Sequence, residues 1–152
     1  MNLLQILAIP LSLLYGCLMK LRRQLYLKDF LTSHQLPGVC ISIGNLEVGG
    51  TGKTPVCIAL ANELLSKGHR PAILTRGYRS GLNSEESVVL LNETVLYPSN
   101  FSKAFFADEA RLQSHHLPTV AIIIGANRVQ AAQKYCQAFE PPTHWILSLI
   151  HI

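Results

Sequence analysis

A chain of 152 residues, 49% apolar and 14% charged, is long enough for one compact domain and too apolar for a disordered tail. Its formal charge of +4 comes from basic residues scattered along the chain rather than gathered with interleaved aromatics, which argues against nucleic acid as a partner. The four cysteines, Cys17, Cys40, Cys57 and Cys136, form no CxxC pair, so neither zinc nor a disulfide framework is signalled, and they are expected as reduced, buried, small apolar residues.

Leu3 to Met19 is almost wholly apolar and is followed at once by Lys20, Arg22 and Arg23. The run is short for a membrane span and is interrupted by Pro10 and Gly16, and its basic residues follow the apolar stretch instead of preceding it, the reverse of a secretory signal. It is read as a helix lying in or dipping into a bilayer surface, with Tyr15 and Tyr26 at the headgroups. A buried helix packed on the domain is the alternative.

The run VCISI, Val39 to Ile43, predicts a buried strand. A helical pattern follows from Thr54 to Lys67, with Val56, Leu60 and Leu64 on one stripe, Cys57, Ala61 and Leu65 beside it, and Gly68 as the stop. Strands are predicted at Pro71 to Thr75 and at Val88 to Leu91, joined by the polar stretch Ser80 to Ser87. Asp108 to His115 predicts a helix, with His115 and His116 at its solvated end. Thr119 to Ile124 predicts a strand, Asn127 caps a helix to about Ala138, and His144 to Leu147 starts the next strand. Strands alternating with helices predict an α/β fold with a parallel sheet covered on both faces.

A strand, then GGTGKT at Gly49 to Thr54, then an amphipathic helix is the context a phosphate-binding loop requires. Glycines open backbone angles closed to other residues, so successive N–H groups turn toward phosphate oxygens, and the helix amino terminus adds partial positive charge. Gly49, Gly50, Thr51 and Gly52 are the candidate cradle. Lys53 is placed to reach the β- and γ-phosphates of ATP, and the Thr54 hydroxyl to ligate Mg2+. The strict GxxxxGK[ST] pattern has glycine where this chain has Glu47. The alternative is a glycine-rich turn without ligand.

The blocks SIGNLEVGGTGKTP (Ser42 to Pro55), TRGYRS (Thr75 to Ser80), ADEA (Ala107 to Ala110) and IGANRVQAA (Ile124 to Ala132) resemble, in order and spacing, the lipid A 4'-kinase family. The resemblance implies a P-loop NTPase-like fold and transfer of the ATP γ-phosphate to the 4'-hydroxyl of a lipid-linked disaccharide. It also implies the cytoplasmic face of the bacterial inner membrane as the place of action. Lys53 and Thr54 match the family's phosphate and magnesium positions. Asp108 matches its base, a role an alcohol nucleophile needs in any case; by itself Asp108 also suits a helix N-cap. Arg76 and Tyr78 match a motif lining the cleft, where Arg76 is assigned to phosphate with a structural ion pair as the alternative. Arg128 is open between phosphate binding and packing.

The resemblance also implies an acidic DDGFQH-like segment after the strand near His144, which this sequence lacks, so no metal-binding carboxylate is identified. The ending LSLIHI, Leu147 to Ile152, reads as a translated sequencing-library adapter, or alternatively as a native apolar strand. The expected organisation is a membrane-associated helical segment over 1–30, an incomplete kinase domain over 36–146 and a non-native tail over 147–152. As such a fragment it is expected to be inactive alone, and its last strand to leave an apolar sheet edge open. Two other classes fit parts of the sequence: a partitioning or regulatory P-loop ATPase, and a membrane-anchored nucleotide-binding protein without chemistry.

Overall fold

A computed structural model describes residues 3–44, 52–77, 82–83, 85–98 and 108–148. They form two compact units, Met1–Gln35 and Leu36–Ile152. The first holds helix α1, Leu3–Leu27, which contains Pro10. Leu14, Leu18, Leu21 and Leu25 recur at helical spacing on one face of α1, with Lys20 and Arg23 on the far side. Leu13, Leu14, Leu18 and Leu21 are all exposed. No helix among the described residues is long and apolar enough to cross a membrane.

The second unit contains strands β1 (Val39–Ile43), β2 (Pro71–Thr75), β3 (Ser87–Leu91), β4 (Thr94–Tyr97), β5 (Ala121–Gly125) and β6 (His144–Ser148). Helix α2 (Lys53–Ser66) joins β1 to β2, α3 (Asp108–His116) precedes β5, and α4 (Arg128–Ala138) joins β5 to β6. The sheet order is β1-β6-β2-β5-β3-β4. Four strands are parallel, but β3 runs antiparallel to β5, and β4 antiparallel to β3. The sheet is therefore mixed, where alternation of strands and helices had predicted a parallel one. The missed strand is β4. It follows β3 through a two-residue turn at Asn92 and Glu93, both with positive φ (48° and 60°), the geometry of the tight hairpin turn that matches strand twist. Asn tolerates that region, whereas Glu93 is held there by tertiary partners: its N–H donates to Ser114 Oγ at 2.8 Å and its carboxylate meets His115 Nδ1 at 2.6 Å.

The continuous apolar runs of β2 and β5 lie fully buried at the centre of the sheet. On one face, Ile73, Ile122, Ile124 and Ile146 pack against Cys57, Ala61 and Leu64 of α2 and Ala110 of α3. On the other, Leu74, Ile123 and Trp145 pack against Ala131 and Ala132 of α4. Within α2 the buried stripe is Cys57, Ala61 and Leu64, while Val56, predicted to lie on the apolar face, is 53% exposed. The cysteines also differ from expectation. Cys57 is buried, but Cys17 and Cys40 are exposed.

The chain's last strand does not form an open edge. β6 pairs with β1 on one side and with β2 on the other, so Leu147 and Ser148 sit inside the sheet, and residues 149–152 lie outside the described set. Among the described residues the open edges belong to β1, where Val39 is 54% exposed, and to β4. Right-handed crossovers carry α2 and α4 over opposite faces. Every connection from β1, β2 or β5 therefore leaves from the same, carboxyl edge of the sheet, where open α/β sheets place ligands.

Candidate functional site

Beyond β1 the chain re-enters description at Gly52, whose φ of 74° and ψ of 23° are left-handed, an angle pair glycine adopts without steric cost. Gly52 starts α2 with no side-chain cap, and Pro55 in the first turn has no N–H to satisfy. The positive end of α2 is thereby directed toward the carboxyl edge of the sheet. Lys53 and Thr54, the first two helical residues, are half-buried there. Gly49, Gly50, Thr51 and Tyr78 lie outside the described residues.

The Thr54 hydroxyl donates to Glu109 Oε1 at 2.8 Å, joining positions 55 residues apart. Glu109 and Asp108 open α3, and successive helical side chains diverge by about 100°. Thus Glu109, half-buried, turns to Thr54, while Asp108, the predicted base, is exposed. Sequence reasoning identified no carboxylate for a metal; the structure places the Glu109 carboxylate beside Thr54. The signal was the adjacent acid in ADEA, but pattern alone does not say which of two neighbouring carboxylates faces a helix 55 positions earlier. A hydroxyl and a carboxylate are hard oxygen donors of the kind magnesium takes, so this pair fits that ion. Among the described residues no group of three or more His, Cys, Asp or Glu could hold a metal.

One turn into α2, Cys57 lies under this site. Burial pushes its thiol up, and the Glu109 carboxylate adds to that; Ser148 and Lys53 pull it down. Ser148 is close enough for that effect, although its buried Oγ has no partner of hydrogen-bond geometry. The four residues thus lie together where α2, α3 and β6 meet.

Farther along the same edge stand two arginines. Thr75, last in β2, pairs with Ile124 of β5, so Arg76 follows beside Gly125. Arg128 begins α4, after Asn127, whose Oδ1 accepts from Gln130 N at 3.2 Å. Loss of solvation lowers the basicity of Arg128, and the charge of Arg76 lowers it further. A cavity of about 280 Å3 opens elsewhere, near the amino ends of β2 and β5, lined by Pro71, Thr119, Tyr135 and Phe139. It includes none of the predicted site residues.

The profile of the family described as LpxK, tetraacyldisaccharide-1-P 4'-kinase, matches residues 4–148. A tetraacyldisaccharide 4'-kinase of Pelobacter propionicus is 39% identical over 135 residues, which are 89% of this chain and 36% of that protein. One of Geobacter sulfurreducens is 35% identical over 136 residues, 90% of this chain and 37% of its own length. The chain thus spans about a third of the length of these curated relatives. Among solved structures, "apo" form LpxK from Aquifex aeolicus in complex with ATP superposes with a TM-score of 0.70 at 32% identity, covering 95% of this chain and 44% of that one. Since the family profile runs through the helix-opening lysine and threonine, the acidic pair of α3 and both arginines, and a solved member shares the fold, the chain belongs to the tetraacyldisaccharide-1-P 4'-kinase family.

Proposed function

We propose that this chain forms the nucleotide-binding part of a kinase that transfers the ATP γ-phosphate to the 4'-hydroxyl of a tetraacyldisaccharide 1-phosphate. The observation that carries this reading is the hydrogen bond from Thr54 to Glu109, which ties the loop-bearing helix to the helix that bears the acceptor base. In the proposed reaction, Lys53 and the N–H groups of Gly49 to Gly52 hold the β- and γ-phosphates. Thr54 and Glu109 are the residues that would hold a magnesium ion, which would supply charge neutralisation at those phosphates. Exposed Asp108 accepts the proton of the 4'-hydroxyl as its oxygen bonds to the γ-phosphorus, and the β–γ bridging P–O bond breaks to release ADP.

A lipid acceptor calls for a surface that meets the bilayer. The exposed leucine stripe of α1, with Lys20 and Arg23 opposite, supports α1 as a helix lying at the cytoplasmic face of the inner membrane. Segment 1–30 then anchors and segment 36–146 binds nucleotide.

Titration with a β,γ-methylene ATP analogue and Mg2+ tests the reading. The unmutated chain is expected to bind, and Lys53→Ala to bind at least tenfold more weakly, since a charge-assisted phosphate contact is worth about 1.5–3 kcal/mol. Equal affinity in the two proteins would refute the loop assignment.

A further inference from the structure

Gln113, in the middle of α3, is fully buried, and neither its Nε2 nor its Oε1 has a hydrogen-bond partner. An amide is a strong donor and acceptor, and leaving one buried and unpaired is a cost that native folds rarely carry without a reason. The next residue of the same helix, also buried, is provided for: Ser114 Oγ accepts from the Glu93 N–H at 2.8 Å. Gln113 has no such provision. The side chains of α2 in the core beneath the site, Cys57, Ala61 and Leu64, carry no oxygen or nitrogen. Packing alone therefore gives no reason for an amide at this position, where leucine or methionine would fill the same space.

The place of Gln113 in the helix supplies one. It follows Glu109 by four residues, so the two lie one turn apart on the same face of α3. Helical side chains lean back toward the amino end, which carries the Gln113 amide toward the Glu109 carboxylate. Glu109 accepts from Thr54 through Oε1 at 2.8 Å, and a carboxylate has a second oxygen with room for a donor. A carboxylate that ligates a metal is held in direction by donors behind it, and those outer partners matter nearly as much as the ligand. The Thr54 hydroxyl is itself placed to ligate, so a donor that is not a ligand has to come from elsewhere. We propose that Gln113 is the positioning residue of this site: in the loaded site its Nε2–H donates to the Glu109 carboxylate and holds it toward the cation. The inference rests on the kinase reading and adds to it a residue that touches neither metal nor nucleotide.

The test is calorimetric titration of β,γ-methylene ATP into the chain at a series of Mg2+ concentrations. Gln113→Met is the variant, because methionine keeps the length and nearly the volume of the side chain while removing the amide. It should raise the Mg2+ concentration needed for the metal's effect on nucleotide affinity by about 10–100-fold, the range for loss of an outer partner of a metal ligand. Affinity for the analogue without Mg2+ should stay the same. In a Glu109→Ala background the same substitution should add nothing further, because the amide then has no carboxylate to hold. Gln113→Met should also raise the Tm of the metal-free chain, since an unpaired buried amide is removed. A Mg2+ dependence that Gln113→Met leaves unchanged, or an effect that persists in the Glu109→Ala background, overturns the proposal. So does a lowered Tm, which would show the amide paired within the fold. An unmutated chain that binds the analogue with no Mg2+ dependence sinks the proposal alone, whereas one that does not bind the analogue at all sinks the kinase reading and the proposal with it.

Discussion

Thr54 and Glu109 show how far residue-level reading of the sequence reaches. The residue types of the loop announced a phosphate site because glycine, lysine and threonine in that order have few other uses between a strand and a helix. The acidic pair announced itself only as two carboxylates. Which of them faces Thr54 depends on the rotation of α3 about its axis, which is set by Ala110 and Leu117 packing under the sheet. Asp108→Ala should therefore depress turnover of the transfer-competent kinase by about 10²–10⁴-fold with little change in nucleotide affinity, as expected for a general base. Glu109→Ala should instead weaken Mg2+-dependent nucleotide binding, read as a loss of the difference in affinity with and without the metal. If both variants behave alike, the assignment of separate roles to the two acids is wrong. The thiols offer a check on packing: iodoacetamide should label exposed Cys17 and Cys40 well before Cys57, which is buried and has its pKa raised. Early labelling of Cys57 would mean that α2 does not pack as described.

At the scale of elements, strands and helices with strong periodicity were legible to within a residue or two, as at Pro71–Thr75 and Arg128–Ala138. The hairpin β3–β4 was not, because its turn places a glutamate in left-handed backbone and relies on Ser114 and His115, partners no local pattern reveals. The junction of β5 with α4 is tight: a Cβ on Gly125 would come within 2.6 Å of Ala131 Cβ. Gly125→Ala is thus expected to cost about 1–3 kcal/mol in urea unfolding. An unchanged unfolding midpoint would place the helix farther from the strand than described. For α1, removal of residues 1–23 should shift the protein from membrane to soluble fractions, because its leucine stripe and cations carry the proposed contact with lipid. Retention on the membrane would assign binding to another surface.

For the whole molecule, the order of the strands was beyond the reach of pattern. Alternating strands and helices predict right-handed crossovers but not which neighbours pair, and the ending LSLIHI gave no hint that Leu147 and Ser148 complete an interior strand. Trp145 anchors that strand. Fully buried, it packs edge-on to Tyr135 and donates from Nε1 to Pro37 O at 2.6 Å. Trp145→Ala should cost about 3–5 kcal/mol, a large share of the roughly 5–15 kcal/mol of an ordinary domain, and lower the unfolding midpoint accordingly. A cooperative transition near the original midpoint would contradict the central place of β6.

The threading of β6 between β1 and β2 also has a temporal side. Val39 has His144 as its register partner, and it has no other strand to join among those described, so β1 stays unpaired while everything between them is synthesised. Closing a loop of that length before any reward from pairing makes assembly slow. On the ribosome, the segment that ends in the phosphate loop emerges early and waits, its apolar strand available to chaperones or to wrong partners, until residues near Ser148 clear the exit tunnel. The strand that leads to the proposed nucleotide loop is thus written near the start of the message and finds its partner only near residue 148.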